Sequence, residues 1–219
     1  MDYLHTVFCW LKNRDISSIA DENPSGSGLV PTLVETGVEN PRNVSESLVT
    51  VEFVDALSGA TGKDRLVPED LYEAARARVW ADRVNRECCS PYYTILVRTE
   101  DQDRRAGYDA LLTGLRAFSE ELSKTPGPTF LAGEQLSTVD IALIPWAYRF
   151  YVFDTYRGPT YTLPRDDPTL KHYWQWFDHV MNLPQVISPQ YFTQGCFSSE
   201  SGLLHTNLSV QLPKFLNTR

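Results

Sequence analysis

No stretch of this 219-residue sequence approaches the ~20 consecutive apolar residues that a membrane-spanning helix needs. The first residues also lack the basic segment and the small-residue cleavage site of a secretory signal. Basic clusters are scarce too: 28 acidic residues outnumber 20 basic ones, and the net charge of −8 argues against binding of nucleic acid. We therefore expect a cytoplasmic protein that binds neither membrane nor nucleic acid.

Metal ligands are sparse as well. The cysteines are Cys9, Cys88, Cys89 and Cys196, and the adjacent pair lacks the C-x-x-C spacing of zinc sites. No pair of histidines stands at zinc-ligand spacing either. We predict reduced, mostly buried thiols and no metal cofactor.

The first third of the sequence mixes short strand-like runs with glycine and proline. Residues 30–35 are predicted to form a strand opened by Pro31, a position where proline is tolerated. A second short strand is expected at 42–44. Residues 45–57 carry apolar side chains at helical spacing and predict an amphipathic helix.

Residues 58–67, rich in glycine and small polar residues at their start, form the clearest linker. They divide the chain into an N-terminal part, residues 1–57, and a C-terminal part, residues 68–219. Pro91 is expected to interrupt the first helix of the second part. The helices predicted there cover residues 68–89, 92–97, 103–124, a segment from Ser137 onward, and 168–181.

The segment LSTVDI at residues 136–141 has the pattern of a capping box with a hydrophobic staple. Ser137 and Asp140 exchange hydrogen bonds with each other's backbone N–H groups in such a box, and Leu136 packs on Ile141. A catalytic serine would need a neighbouring base to activate it, and the sequence offers none nearby. We therefore interpret this pair as structural.

Four sequence blocks together resemble the cytosolic glutathione transferases. FLAGE at 130–134 and ALIPW at 142–146 flank the capping box, as in the central helix of that family's helical domain. GLVPTL at 28–33 and SESL at 45–48 are similar to its glutathione site.

The resemblance implies an α+β fold, in which an incomplete thioredoxin-like α/β domain precedes an all-α helical-bundle domain. Omega-like fungal members are similar in two further segments, residues 76–85 and 145–149.

Under this resemblance glutathione is the co-substrate, and four residues bind it. Pro31 resembles the family's cis-proline, which turns the backbone of Val30 outward to pair with the cysteinyl part of the tripeptide. Ser47 and the helix N-terminus would bind the γ-glutamyl carboxylate, while Glu46 would pair with the ammonium group. Two plainer interpretations stay open: a trans proline that opens an edge strand, and ordinary N-capping by Ser45 or Ser47.

The resemblance leaves the catalytic residue unknown. Omega-like members carry a cysteine at the start of their first helix, where the helix N-terminus lowers the thiol pKa. That helix aligns with residues 3–12, which places Met1 at the position of the cysteine. We therefore expect the first strand and the catalytic residue to lie upstream, so that the sequence is N-terminally truncated. Residues 16–20 are also too short for the strand and helix that follow in the family, and Cys9 would face the core.

The family places a hydrophobic electrophile between the two domains. The residues expected to line this second-substrate site, with interhelical packing as the plain alternative, are Trp80, Asn85, Tyr92, Tyr93, Trp146 and Arg149. The family also implies a homodimer.

Two functions stay open on the sequence. The first is conjugation or reduction of an electrophilic small molecule by glutathione, in detoxification or in fungal secondary metabolism, where an aromatic polyketide-type substrate would fit. The second is a non-catalytic dimerisation or interaction module with the same fold.

Overall fold

A computed structural model describes residues 31–34, 39, 42–58, 65–131, 135–184 and 186. This part of the chain is mostly helical and contains one two-stranded sheet. It agrees with the expected α+β architecture, in which a small strand-bearing portion precedes a helical domain. None of the described helices is long and apolar enough to cross a membrane.

The sheet is an antiparallel pair of short strands. Strand β1 (Thr32–Val34) and strand β2 (Asn43–Ser45) pair with Thr32 opposite Ser45 and Leu33 opposite Val44. Both strands lie close to the segments predicted for them. Helix α1 (Ser47–Leu57) begins two residues after β2 ends, so the sheet determines where the N-terminus of α1 lies.

Asp55, buried near the C-terminal end of α1, fastens the segment that leads into the helical domain. Its carboxylate accepts hydrogen bonds from the N–H groups of Leu66 (2.8 Å) and Val67 (3.2 Å), and Arg65 Nε lies 3.4 Å away. The carbonyl oxygen of Leu66 accepts the N–H of Thr138 at 3.2 Å. These bonds connect α1 to the helix that starts at Thr138.

The predicted break near Pro91 has a different geometry from the one expected. Helix α2 (Leu71–Val84) passes into a π-helical turn (Asn85–Cys89), and helix α3 (Ser90–Val97) follows without a gap. Pro91 lies in the first turn of α3, where its missing N–H costs no intrahelical bond. The irregularity is therefore the π turn before the proline. Such turns are rare, and they occur frequently at functional sites.

Gly114 explains how the π turn packs. It lies in the longest described helix, α4 (Asp101–Ser123), and a Cβ atom at this position would come within 2.5 Å of the Glu87 carbonyl oxygen. The missing side chain lets the backbone of α4 approach the π turn closely. A residue distant in sequence therefore supports the local irregularity.

The capping box is confirmed. Helix α5 (Thr138–Arg149) starts directly after Ser137, whose N–H donates to Asp140 Oδ2 at 2.7 Å. The remaining elements are α6 (Val152–Arg157), 3-10 turns at Pro159–Tyr161 and Pro168–Leu170, and α7 (Lys171–Val180).

Asp140 lies at the centre of the helical domain and is fully buried. Besides the Ser137 bonds, its Oδ1 accepts the N–H of Phe130 (3.2 Å) and the indole N–H of Trp176 (2.7 Å). Burial raises the pKa of this carboxyl, although all of these hydrogen bonds oppose the rise. One carboxyl group thus joins the loop before α5, the α5 N-terminus and α7.

Candidate functional site

Glu46 has the most unusual backbone conformation in the described part of the chain. Its φ of 75° and ψ of 123° make it the one non-glycine residue there with positive φ. Such a conformation costs of the order of 1–3 kcal/mol and persists only where the surrounding structure enforces it. The residue is held on both sides, because Ser45 pairs in the sheet and the Glu46 carbonyl oxygen accepts the Thr50 N–H at 2.8 Å.

The N-terminus of α1 offers features suited to an anion. Glu46 occupies the N-cap position, yet its side chain makes no capping hydrogen bond. Ser47 is exposed at the first helical position. The first-turn N–H groups, which a helix cannot satisfy internally, point outward together with the positive end of the helix dipole. A carboxylate fits this arrangement because it can accept several such hydrogen bonds at once.

The sheet brings Pro31 to the same place. The antiparallel register pairs Thr32 with Ser45, and its continuation puts half-buried Pro31 beside Glu46. Three of the four predicted glutathione-binding residues thus lie at one end of the β1–β2 pair. The fourth, Val30, lies outside the described residues.

Three aromatic side chains predicted for the second-substrate site form a cluster at α3 and α5. The rings of Tyr92 and Trp146 have centroids 5.2 Å apart, and those of Tyr93 and Trp146 are 5.4 Å apart. Tyr92 and Tyr93 meet edge to face at 5.6 Å. Tyr92 is buried, Trp146 is partly buried, and Tyr93 is 59% exposed. We call Tyr92, Tyr93 and Trp146 the aromatic shelf.

Arg149 lies at the rim of the aromatic shelf. It is exposed and follows Trp146 by three residues on α5, so both side chains extend from the same face of the helix. Burial raises the pKa of Tyr92, and the positive charge of Arg149 partly opposes that rise. Arg149 therefore lies within electrostatic range of the Tyr92 hydroxyl.

Trp80 and Asn85 make other contacts. The Trp80 ring packs 5.6 Å from Phe130, and the Arg83 guanidinium lies 4.6 Å from its centroid. Asn85 is exposed at the start of the π turn, where its carbonyl oxygen accepts the Ser90 hydroxyl at 3.1 Å. For Trp80 these contacts favour the packing interpretation.

Two further tyrosines beside the aromatic shelf were missed in the sequence analysis. Tyr151 and Tyr156, at the start of α6 and within it, are 56% and 65% exposed. Both are near enough to raise the pKa of Tyr92 slightly further. The high density of aromatic residues over residues 148–156 was the available signal.

Cys88 and Cys89 are not suited to act as nucleophiles. Both are buried in the π turn, and burial raises the pKa of Cys88 to about 12 and that of Cys89 further still. The Cys89 thiol donates to the Ala142 carbonyl oxygen at 3.6 Å. A reactive thiol needs the opposite environment, exposed and electropositive. Within the described ranges, no three His, Cys, Asp or Glu side chains are grouped so that they could hold a metal ion.

Comparison with known proteins identifies relatives of the helical part. Residues 72–179 match the family model described as the C-terminal domain of glutathione S-transferase. A probable glutathione S-transferase of Nicotiana tabacum, parC, is 28% identical over 130 residues, which are 58% of this chain and 53% of that protein. Glutathione transferase GST 23 of Zea mays is 28% identical over 157 residues, 72% of this chain and 65% of that protein. The chain thus spans about half to two thirds of the length of these curated relatives.

Solved structures show the same fold. Glutathione transferase Omega 3C of Trametes versicolor is 27% identical and superposes with a TM-score of 0.61, covering 78% of this chain and 70% of its own. The rice protein OsGSTU1, solved in complex with glutathione, is 24% identical with a TM-score of 0.63, covering 81% and 76% of the two chains. At that identity the rice structure supports the fold alone.

Proposed function

We propose, from the premise that residues 72–179 are a glutathione S-transferase C-terminal domain, that this protein binds glutathione and transfers it to an electrophilic small molecule. The observation that carries the proposal is the conformation of Glu46. A strained, uncapped, exposed helix start beside Pro31 has no evident structural use. It does have a use if the backbone there binds a ligand, because functional sites are where such strain is retained.

Glutathione would be held by its γ-glutamyl end and by the cysteinyl residue in its middle. The γ-glutamyl carboxylate binds the first-turn N–H groups of α1 and the Ser47 hydroxyl, and the Glu46 carboxylate pairs with the ammonium group. The cysteinyl backbone adds to the edge of the sheet at Val30 and Pro31 as a short extra strand. This arrangement leaves the glutathione sulfur free to face a second substrate.

The proposed reaction is nucleophilic attack by the glutathione sulfur. A sulfur–carbon bond forms, the leaving group departs with the bonding electron pair, and the thiol proton passes to solvent. Reduction is the related alternative: one glutathione thiol attacks a disulfide substrate, a second attacks the resulting mixed disulfide, and the products are the substrate thiols and glutathione disulfide. No residue among those described is assigned as the group that activates the thiol.

The aromatic shelf is proposed as the site of the hydrophobic co-substrate. The rings of Tyr93 and Trp146, which are exposed and partly buried, offer an apolar surface with a hydroxyl group at the edge, typical of small-molecule sites. Similarity to the Trametes versicolor omega enzyme supports an omega-like subclass. A role in detoxification or fungal secondary metabolism, with an aromatic polyketide-type substrate, is proposed alongside it. A cytoplasmic location is part of this proposal.

A homodimer is proposed from the apolar surface of α1 and α2. Arg78 Nε lies 3.0 Å from both carboxylate oxygens of Glu52, which joins the two helices side by side. Large apolar patches that are exposed on a protein surface often mark the place where another protein binds. The large apolar side chains that these helices expose are Val49, Val54, Leu57, Leu71, Tyr72 and Val79.

The second candidate is a non-catalytic interaction module with the same fold. It is favoured by the absence of an assigned catalytic residue in the described part of the chain. The conformation of Glu46 favours ligand binding instead.

Thermal unfolding in a titration with reduced glutathione separates the two candidates. Binding should raise the midpoint saturably, since ligand at 100 times its Kd adds about 2.7 kcal/mol to the folded state. Glu46→Ala and Ser47→Ala should each abolish the rise. Glu100→Ala, at another exposed N-cap whose side chain makes no capping bond, should leave it unchanged. A chain that unfolds cooperatively with no shift in midpoint would contradict glutathione binding and favour the module.

A further inference from the structure

The rim of the aromatic shelf carries a cation, Arg149, that has no ion pair within the described part of the chain. Among the described residues no carboxylate forms a salt bridge with Arg149, which is exposed at the end of α5. The next carboxylate along the chain, Asp154, instead accepts the Thr162 hydroxyl at 2.8 Å.

Two other arginines near this part of the fold, Arg83 and Arg157, bond to the protein itself. Arg83 pairs with Glu87 at 2.9 Å on α2 and its π turn. Arg157, on α6, donates to the carbonyl oxygens of Ile95 (3.1 Å) and Leu96 at the end of α3. Arg149 thus differs from Arg83 and Arg157, because no described residue pairs with its guanidinium.

The surroundings of Arg149 select the chemistry of that ligand. Tyr93 and Trp146 present ring faces and edges on which a planar aromatic system can stack, an interaction worth ~0.5–1.5 kcal/mol beyond burial. A guanidinium offers two parallel N–H donors that match a carboxylate or a similar oxyanion. The exposed side chains of Tyr93, Tyr151 and Tyr156 add hydroxyl groups that can donate hydrogen bonds.

We propose that the aromatic shelf and Arg149 select planar aromatic acids, with the rings on Tyr93 and Trp146 and the anionic group on the guanidinium of Arg149. That these acids are the electrophiles of a transferase rests on the proposed function. Arg149 is the specificity-determining residue, because a neutral aromatic compound can stack on the rings but cannot form an ion pair with the guanidinium.

Two probes with the same ring system isolate the charge. 2-Naphthoate and 2-naphthamide are nearly the same in shape, and only the first is an anion. Isothermal titration calorimetry of the full chain at low ionic strength, without glutathione, should give about tenfold tighter binding of the naphthoate. Added salt should shrink the difference, since an exposed ion pair is screened.

Variants assign the preference to named side chains. Arg149→Gln should erase the tenfold preference and keep the affinity for the amide. Arg105→Gln removes the same charge from an exposed position on α4 and should keep the preference. Trp146→Ala should weaken the binding of both probes, with circular dichroism to verify that the helices remain. Equal affinities in the wild type, no binding of either probe, or an undiminished preference in Arg149→Gln would each overturn the proposal.

The outcome is separable from that of the proposed function. Glutathione binding is read from the midpoint shift at Glu46 and Ser47, whereas the naphthoate preference is measured without glutathione. A chain that prefers naphthoate through Arg149 and ignores glutathione keeps the anion site and loses the transferase function. A chain that binds glutathione and shows no preference keeps the function and loses this inference.

Discussion

The indole N–H of Trp176 donates a 2.7 Å hydrogen bond to the carboxylate of Asp140, which is also the N3 residue of the α5 capping box. Helix α7 is thereby tied to the start of α5 through a single buried carboxyl group. The same Oδ1 atom also accepts the N–H of Phe130. Local capping and long-range packing depend on one side chain.

Replacement of Asp140 should therefore be severe. Asp140→Ala leaves the Trp176 indole, the Phe130 N–H and both Ser137 donors without their acceptor, and removing one partner of a buried charged network costs about 3–5 kcal/mol. The free energy of unfolding in urea is the measurement. Asp109→Ala, at an exposed position on α4, is the matched control and should change it by no more than about 0.5 kcal/mol. A small loss in Asp140→Ala would contradict the central role of this carboxyl.

The close approach of Gly114 to the π turn leads to a second prediction about stability. In Gly114→Ala the new methyl would lie 2.5 Å from the Glu87 carbonyl oxygen, and neither backbone can move away easily. Overpacking of this kind costs about 1–3 kcal/mol. Gly107→Ala on the same helix is the control, because its methyl would meet the Thr94 side chain at 2.9 Å, which can adjust. Comparable losses in the two variants would show that the approach to the π turn is not special.

These two sites show what the sequence can and cannot reveal. The capping role of Ser137 and Asp140 was predicted because a capping box can be recognised within four consecutive residues. The π turn was not, since it depends on Gly114, which lies beyond the next helix boundary. Likewise, the positive φ of Glu46 could not be predicted from the sequence, because glutamate does not favour that region.

The candidate sites divide in the same way. The two strands were predicted from the sequence, whereas the register of their pairing, which puts Pro31 beside Glu46, was not. The aromatic shelf needed the packing of α3 on α5, which joins Tyr93 to Trp146. Tyr156 was missed because α6 is too short to show a helical period.

The buried thiols predict a reactivity pattern. With the pKa of Cys88 raised to about 12 and that of Cys89 higher still, neither thiol is ionised appreciably at pH 8 in the folded protein. In a Cys9→Ser, Cys196→Ser background, the native chain should react with a disulfide reagent at least a hundredfold more slowly than the chain unfolded in guanidinium, where the pKa returns to about 8.5. Raising the pH to about 10 should accelerate the native reaction only slightly unless the fold opens. Fast reaction of the native chain at pH 8 would contradict the burial of these thiols.

The homodimer proposal is tested at Val79. This side chain is 66% exposed on α2 and is one of the apolar side chains proposed for the dimer interface. Val79→Glu would bury an unpaired charge in an interface and should raise the dimer Kd at least about a hundredfold, measured by sedimentation equilibrium. Val97→Glu introduces the same charge at a 70% exposed site on α3 and should leave the Kd unchanged. A monomeric wild type, or equal effects of both variants, would place the interface elsewhere or remove it.

Glu46 offers a test that separates stability from function. Glycine lacks the Cβ atom that makes positive φ costly, so Glu46→Gly should relieve part of the cost held at this position and stabilise the fold by about 1 kcal/mol, after the greater entropy of glycine in the unfolded chain is subtracted. The same variant loses the carboxylate proposed to pair with the ammonium of glutathione, so the midpoint shift with glutathione should fall. Glu100→Gly, at an N-cap with φ of −78°, relieves no strain and should bring no gain. A protein that is more stable and binds glutathione less well would identify Glu46 as a position where strain is kept for a ligand. If Glu46→Gly were less stable than the wild type, the conformation would be a favourable one for glutamate, and the main support for a glutathione site at α1 would be lost.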